Sequence, residues 1–226
     1  MEKKIENIVV GDIQTNCWLY LLDDEESSRF CAVIDPGDEA ELIVSRLREL
    51  NWIPRYILLS HGHFDHVAAL PKLLEACGKG AFGENIPLPK VCIHRQDAQY
   101  VGKDALAAHR RSFAAIGAAY VEARWEALPE ADTLFEEGDT LGPLKVLHVP
   151  GHTPGSVCFY DEKTGVLFSG DTLFQGGYGR TDLPGGDWNE LCQSLKRLLS
   201  MPSEIVVCPG HGSATTVLES SNVLGL

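Results

Sequence analysis

Apolar residues in the first third of the chain come in short runs closed by turn residues. IENIVVG, TNCWLYLLD and FCAVIDPG, beginning at Ile5, Thr15 and Phe30, have strand length, and Asp35-Pro36-Gly37 signals a turn. The period then changes. EAELIVSRLREL predicts a helix with Leu42, Ile43, Leu47 and Leu50 as its apolar positions. PRYILLSH predicts a strand, VAALPKLLEACG a helix from Val67 to Gly78, and KVCIH a further strand. Residues 95–127 are rich in Ala and Arg without any strand signal, and predict one or two helices inserted as a lid or cap. Strand runs resume in TLFEEGDTL, LKVLHVPG and SVCFYDEKTGVLFSGD, with Lys163-Thr164-Gly165 as a hairpin connection. DWNELCQSLKRLLS predicts an amphipathic helix with Leu191, Leu195, Leu198 and Leu199 on one face, and EIVVCPGHG a final strand. No Ser- or Pro-rich linker divides residues 1–226, so a single α/β domain is expected, with two sheets packed face to face and helices outside.

Several of these runs end on a potential metal ligand. His61 follows YILLS, His152 follows KVLHVP, Asp171 follows GVLFSG and His211 follows EIVVCPG. Strands hold their ends rigidly, so four such ends can aim side chains into one cleft. The heptad SHGHFDH adds His63, Asp65 and His66. His61 and His63, two apart, share a side of an extended stretch, whereas Asp65 and His66 follow a change of direction into the next helix. The seven donors are more than one tetrahedral ion needs. Their mixture of imidazole and carboxylate suits Zn, Fe, Mn, Ni or Co better than Mg or Ca. The expected arrangement is two divalent metal ions, zinc first with iron or manganese as alternatives. His61, His63 and His152 would hold one, Asp65, His66 and His211 the other, and Asp171 would bridge them. A metal-bound hydroxide is then the expected nucleophile. Asp65 and Asp171 are the expected catalytic carboxylates. His94, His109 and His148 are expected to be structural.

Bulk composition narrows the setting. A net charge of −13 over 226 residues argues against nucleic acid as a partner. Residues 1–16 contain no apolar signal core and no segment reaches membrane-spanning length, so no membrane partner is expected. The seven cysteines include no CxxC and mostly lie inside apolar runs, as reduced core residues of a cytoplasmic protein would; Cys208, three positions before His211, is the one candidate for chemistry. Monomer and homodimer are both compatible with the pattern.

His61-Gly62-His63-Phe64-Asp65-His66, followed by His152, Asp171 and His211, resembles the metallo-β-lactamase superfamily, as do VIDPG at 33–37 and GDTLF at 170–174. The resemblance covers nearly the whole chain. It implies a four-layer αββα sandwich with the metal site at one edge of the sheets, and those seven positions as ligands. GDIQTNCWLY, GDTLFQGGYGRTDLPGGD and CPGHG are similar to hydroxyacylglutathione hydrolase (glyoxalase II) and its small bacterial relatives, which implies cleavage of an acyl thioester, a small-molecule substrate. Glyoxalase II grips glutathione with a basic C-terminal helical region, whereas residues 212–226 contain neither Lys nor Arg. Arg95, Lys103, Arg110, Arg111 and Arg124 of the insertion are the alternative basic surface, and Arg180 is expected to pair with Asp182 or Asp187. GRTD and the same ligands also resemble iron-dependent persulfide dioxygenases, which implies a rival single-iron site on His61, His152 and Asp171. Hydrolases of lactones or phosphoesters share the ligand set as well.

Overall fold

The structure, a computed structural model, describes residues 4–22 and 29–225, with Tyr120 and Arg124 described by their backbone alone. Asp23, at the end of the second predicted strand, lies outside them. β1 (Ile5–Val10), β2 (Thr15–Leu21), β3 (Phe30–Ile34), β4 (Ile53–Leu58), β5 (Lys90–His94) and β6 (Thr133–Phe135) form one sheet in sequence order. The second sheet runs in the order β14 (Thr215–Thr216), β13 (Val206–Pro209), β10 (Val166–Gly170), β9 (Val157–Asp161), β8 (Leu144–His148), β7 (Thr140–Leu141). A small hairpin, β11 (Leu173–Phe174) with β12 (Gly177–Tyr178), stands apart.

The near-continuous apolar runs follow from burial on both faces of each sheet. All seven residues of β2 are buried, and they alternate between two cores. Cys17, Leu19 and Leu21 join Val33, Ile57 and Val91 against the helices α1 (Ala40–Leu50) and α3 (Leu70–Gly78). Trp18 and Tyr20 turn the other way and meet Val146, Phe159 and Phe168 of the second sheet. On the far face of that sheet, Cys158, Leu167 and Val207 pack on Leu191, Leu195 and Leu198 of α5 (Trp188–Leu199) and on Val217, the first residue of α6 (Val217–Leu224). Three apolar seams between four layers are the expected αββα sandwich.

Three local expectations change. Leu42 is 45% exposed and Val44 is buried in its place, because α1 docks along Ala40, Ile43, Val44 and Leu47. The helix predicted from Val67 is two pieces, α2 (Phe64–Val67) and α3, since Pro71 lacks an N–H and is tolerated only in a first turn. TLFEEGDTL crosses between sheets, with β6 in one and β7 in the other, turning at Gly138 with φ +84°. The 163–165 hairpin is as expected: Asp161 Oδ1 accepts from the Lys163 and Thr164 amides, and β9 pairs antiparallel with β10. Residues 95–127 form α4 (Ala105–Ala115) between two 3₁₀ segments, Arg95–Tyr100 and Ala119–Arg124.

Candidate metal centre

The ends of β4, β8, β10 and β13 meet at one edge of the sandwich, and the seven predicted donors converge there. β2 is tied to the same edge. Asn16 donates its backbone N–H to Gly210 O at 2.7 Å, and the Asn16 amide and the Trp18 indole both donate to Pro209 O at 2.9 Å. The Val157 amide donates to Ser60 O at 2.8 Å, linking the heptad loop to the second sheet. His63 stands immediately before α2 in extended conformation, so Asp65 and His66 lie in the first helical turn and are directed away from His61 and His63.

Two triads result. His61 Nε2 lies 3.1 Å from His63 Nδ1, and His152 Nε2 lies 2.9 Å from His63 Nδ1 and 3.3 Å from His61 Nε2. Asp65 Oδ2 lies 3.2 Å from His66 Nε2 and 3.3 Å from His211 Nε2. Asp171 stands between the triads, with Oδ1 3.4 Å from His66 and Oδ2 3.5 Å from His211 and 3.7 Å from His152. The Gly210 backbone passes so close that a Cβ there would sit 2.2 Å from Asp171 Oδ1 and 2.8 Å from His66 Cε1.

Outer partners set the direction in which each ring nitrogen presents its lone pair. Asp35 accepts from the Ser60 amide and, at 2.6 Å, from the Ser60 hydroxyl, so Ser60 Oγ accepts in turn from His61 Nδ1 at 3.0 Å. His152 Nδ1 donates to Arg180 O at 2.7 Å. Both Nε2 atoms therefore face each other as bare acceptors, and His63 Nδ1 has a proton for at most one of them. Two lone pairs in contact inside a dry site are unfavourable unless a cation lies between them. Nitrogens bonded at about 2.05 Å in a tetrahedron are spaced about 3.3 Å apart, close to the distances observed. His66 Nδ1 lies 3.0 Å from Asp35 Oδ2, which leaves its Nε2 for the second triad. Chemistry and spacing both fit a divalent metal.

Without metal the two triads hold protons differently. Burial, reinforced by neighbouring imidazoles, pushes His61 well below its ordinary range and His63 down to about 3. Burial also opposes charge on His66 and His211, but the carboxylates outweigh it. Asp65 and Asp171 hold His66 well above its usual value, while hydrogen bonds to Asp171 and Asp65 raise His211 to about 10. A metal must displace protons from the second triad, so its affinity falls as pH falls.

A residue outside the predicted set clamps the two ligand loops. Asp97, fully buried, accepts from Gly62 N at 2.8 Å, Thr153 Oγ1 at 2.7 Å and Gly155 N at 2.8 Å. It lies in RQDAQY, at the start of an insertion with no recognisable motif, and nothing local marks it. Asp35 showed itself in the sequence as a turn residue, without its contact to His66.

The three remaining histidines sit outside the two triads. His94 and His148 stack on each other with ring centroids 4.2 Å apart, and His109 Nε2 donates to Tyr100 O at 2.9 Å. Cys208 is buried between the sheets, its thiol pushed up to about 12 by burial, and takes no part in the centre. Arg180 pairs with Asp182 through two bonds of 2.6 and 2.7 Å. Arg95 pairs with Glu136, Arg110 with Glu122 and Arg111 with Gln99; the Arg124 side chain lies outside the described residues. The insertion supplies a wall instead. His109, Ser112, Phe113 and Ile116 of α4 and the segment after it line a cleft of about 390 Å³, into which His63, Asp65, His152, Asp171 and His211 open.

Residues 10–211 match the model of the metallo-beta-lactamase superfamily. The chain is 38% identical to the hydroxyacylglutathione hydrolase GloC of Haemophilus influenzae, over 94% of this chain and 92% of that protein. Its structure is similar to that of TTHA1623 in a di-iron-bound form, with a TM-score of 0.75 and 37% identity over 96% of this chain and 98% of that one. It is also similar to the BLEG-1 B3 metallo-beta-lactamase, with a TM-score of 0.78 and 32% identity over 96% of both chains.

Proposed function

The chain belongs to the metallo-beta-lactamase superfamily and is a metallo-hydrolase, and we propose that its reaction is the hydrolysis of an acyl thioester. The single observation that carries this reading is the pair of triads joined through Asp171, opening on a cleft with an apolar wall. The identity with a hydroxyacylglutathione hydrolase along nearly the whole chain supports the thioester as the bond cleaved.

In this reading His61, His63 and His152 would hold one divalent ion and Asp65, His66 and His211 a second, with Asp171 placed between the two sets. Zinc is the favoured metal for such imidazole-rich sets. Ions held there supply a hydroxide near neutral pH and polarise a carbonyl. The protein's share is orientation. Asp35 and Ser60 fix the rings of His66 and His61, and the Arg180 carbonyl fixes His152. Asp65, which accepts from Thr15 Oγ1 at 3.2 Å and lines the cleft, aligns the attacking oxygen. The departing thiolate is a weak base and needs no proton donor, which matches a cleft whose remaining walls are largely apolar. The seven cysteines, all free and mostly buried, fit a reducing, cytoplasmic setting.

The test is metal analysis of purified protein together with thiol release from a panel of thioesters, lactones and phosphodiesters. Two metals per chain with thiol release is the expected result. One iron per chain with O₂ uptake on a persulfide would replace the hydrolase by a dioxygenase.

A further inference from the structure

Beside the metal centre the cleft has two lobes. The larger, about 390 Å³, is walled by Phe113, Ile116, Phe174 and Leu183. The smaller, about 120 Å³, lies against Val10 and Val121. Ile13, Phe64 and Asp65 line both, so the two lobes adjoin at these three residues, with Asp65 of the metal centre at their junction. That is the shape a carbonyl with two unlike substituents requires. Ile13 and Ile116 are 62% and 47% exposed, apolar side chains presented to water at the lip of the cleft. Apolar surface left open beside a centre of chemistry marks the place where a ligand's own apolar part is buried.

Charge points the same way. Arg180 is the one guanidinium or ammonium among the described residues lining the larger lobe, and both its bonds go to Asp182. His109, on the same wall, is driven down to about 4 by burial and is neutral at pH 7. Carrier thiols bear polar and charged groups, which lose their hydration without replacement in such a lobe. The acyl half of a thioester gains by entering it.

On the thioesterase reading above, we propose that the larger lobe is an acyl subsite, and that the substrate is a thioester of an apolar acyl group several carbons long. The acyl chain lies along Phe113, Ile116, Phe174 and Leu183, and the thiol leaves past Ile13 by the smaller lobe.

The experiment uses the full-length, metal-loaded protein with acetyl, butanoyl and hexanoyl thioesters of one thiol, N-acetylcysteamine, and with lactoylglutathione for comparison. Burial of each methylene is worth about fourfold in kcat/KM, so hexanoyl, with four more methylenes, should exceed acetyl by roughly 200-fold. Ile116→Asp puts a charge on the wall at a half-exposed position; it should keep its metal content and lower hexanoyl turnover at least tenfold more than acetyl turnover. A flat or falling series, or lactoylglutathione cleaved tenfold better than the hexanoyl thioester, overturns the acyl subsite and leaves the thioesterase intact. Absence of any thioester cleavage by fully metal-loaded protein overturns both.

Discussion

Asp97→Ala is the most searching single change, because the residue binds no metal in this scheme and yet joins both loops that do. The substitution leaves the Gly62 and Gly155 amides without their acceptor in a site from which water is excluded, while Thr153 Oγ1 retains Ser156 Oγ at 2.8 Å. Each buried N–H left unpaired costs about 1–3 kcal/mol. The loss of a buried, multiply bonded carboxylate therefore totals about 3–5 kcal/mol, the scale seen when one side of a buried polar network is removed. Asp97→Asn refines the argument. Its carbonyl oxygen still accepts from one amide, and the Thr153 hydroxyl can rotate to accept from its NH₂, so a single N–H is stranded and the cost is about half. Urea unfolding of the metal-free proteins measures the stability change. Chelator competition measures metal affinity, which should fall about 10- to 100-fold, as for other groups that orient ligands from outside the coordination sphere. An Asp97→Ala protein within about 1 kcal/mol of wild type, with unchanged metal affinity, would refute the clamp.

Three further outcomes are expected. Asp171→Ala should abolish turnover and lower metal content below two per chain, since its two oxygens reach both triads; full activity in that variant would exclude the two-ion scheme. Gly210→Ala should behave like a ligand defect despite binding nothing, because the new Cβ would press on Asp171 Oδ1 and His66; metal affinity is the readout, and a value matching wild type would show that the loop yields freely. His109, lowered by burial to about 4, takes up its proton in the unfolded chain near pH 6.5 but in the folded protein only near pH 4, so acid favours unfolding through that window. Its contribution is at most roughly 3 kcal/mol, and it should vanish in His109→Gln, measured as the difference between wild-type and variant urea midpoints from pH 7 to pH 4. Equal pH slopes for the two proteins would count against it.

Much of the centre could be read before any fold was known. The six donors of the two triads, and Asp171 between them, are named by spacing and by their position after apolar runs, because a strand ends in the same way wherever it packs. Burial of alternate β2 residues on two faces also follows from an uninterrupted apolar run. Other features depended on contacts distant in sequence. Asp97 reaches Thr153 and Gly155 across more than fifty residues, and Asp35 reaches Ser60 and His66 across a turn that gives no hint of it. Leu42 and Val44 have equal local claim to the core, and only the docking angle of α1 separates them. The same holds for the wall that α4 supplies to the cleft, which no local pattern in residues 95–127 announces. Residue type and period are properties of a short stretch of chain, whereas which side chains share a dry volume is set by how distant stretches pack.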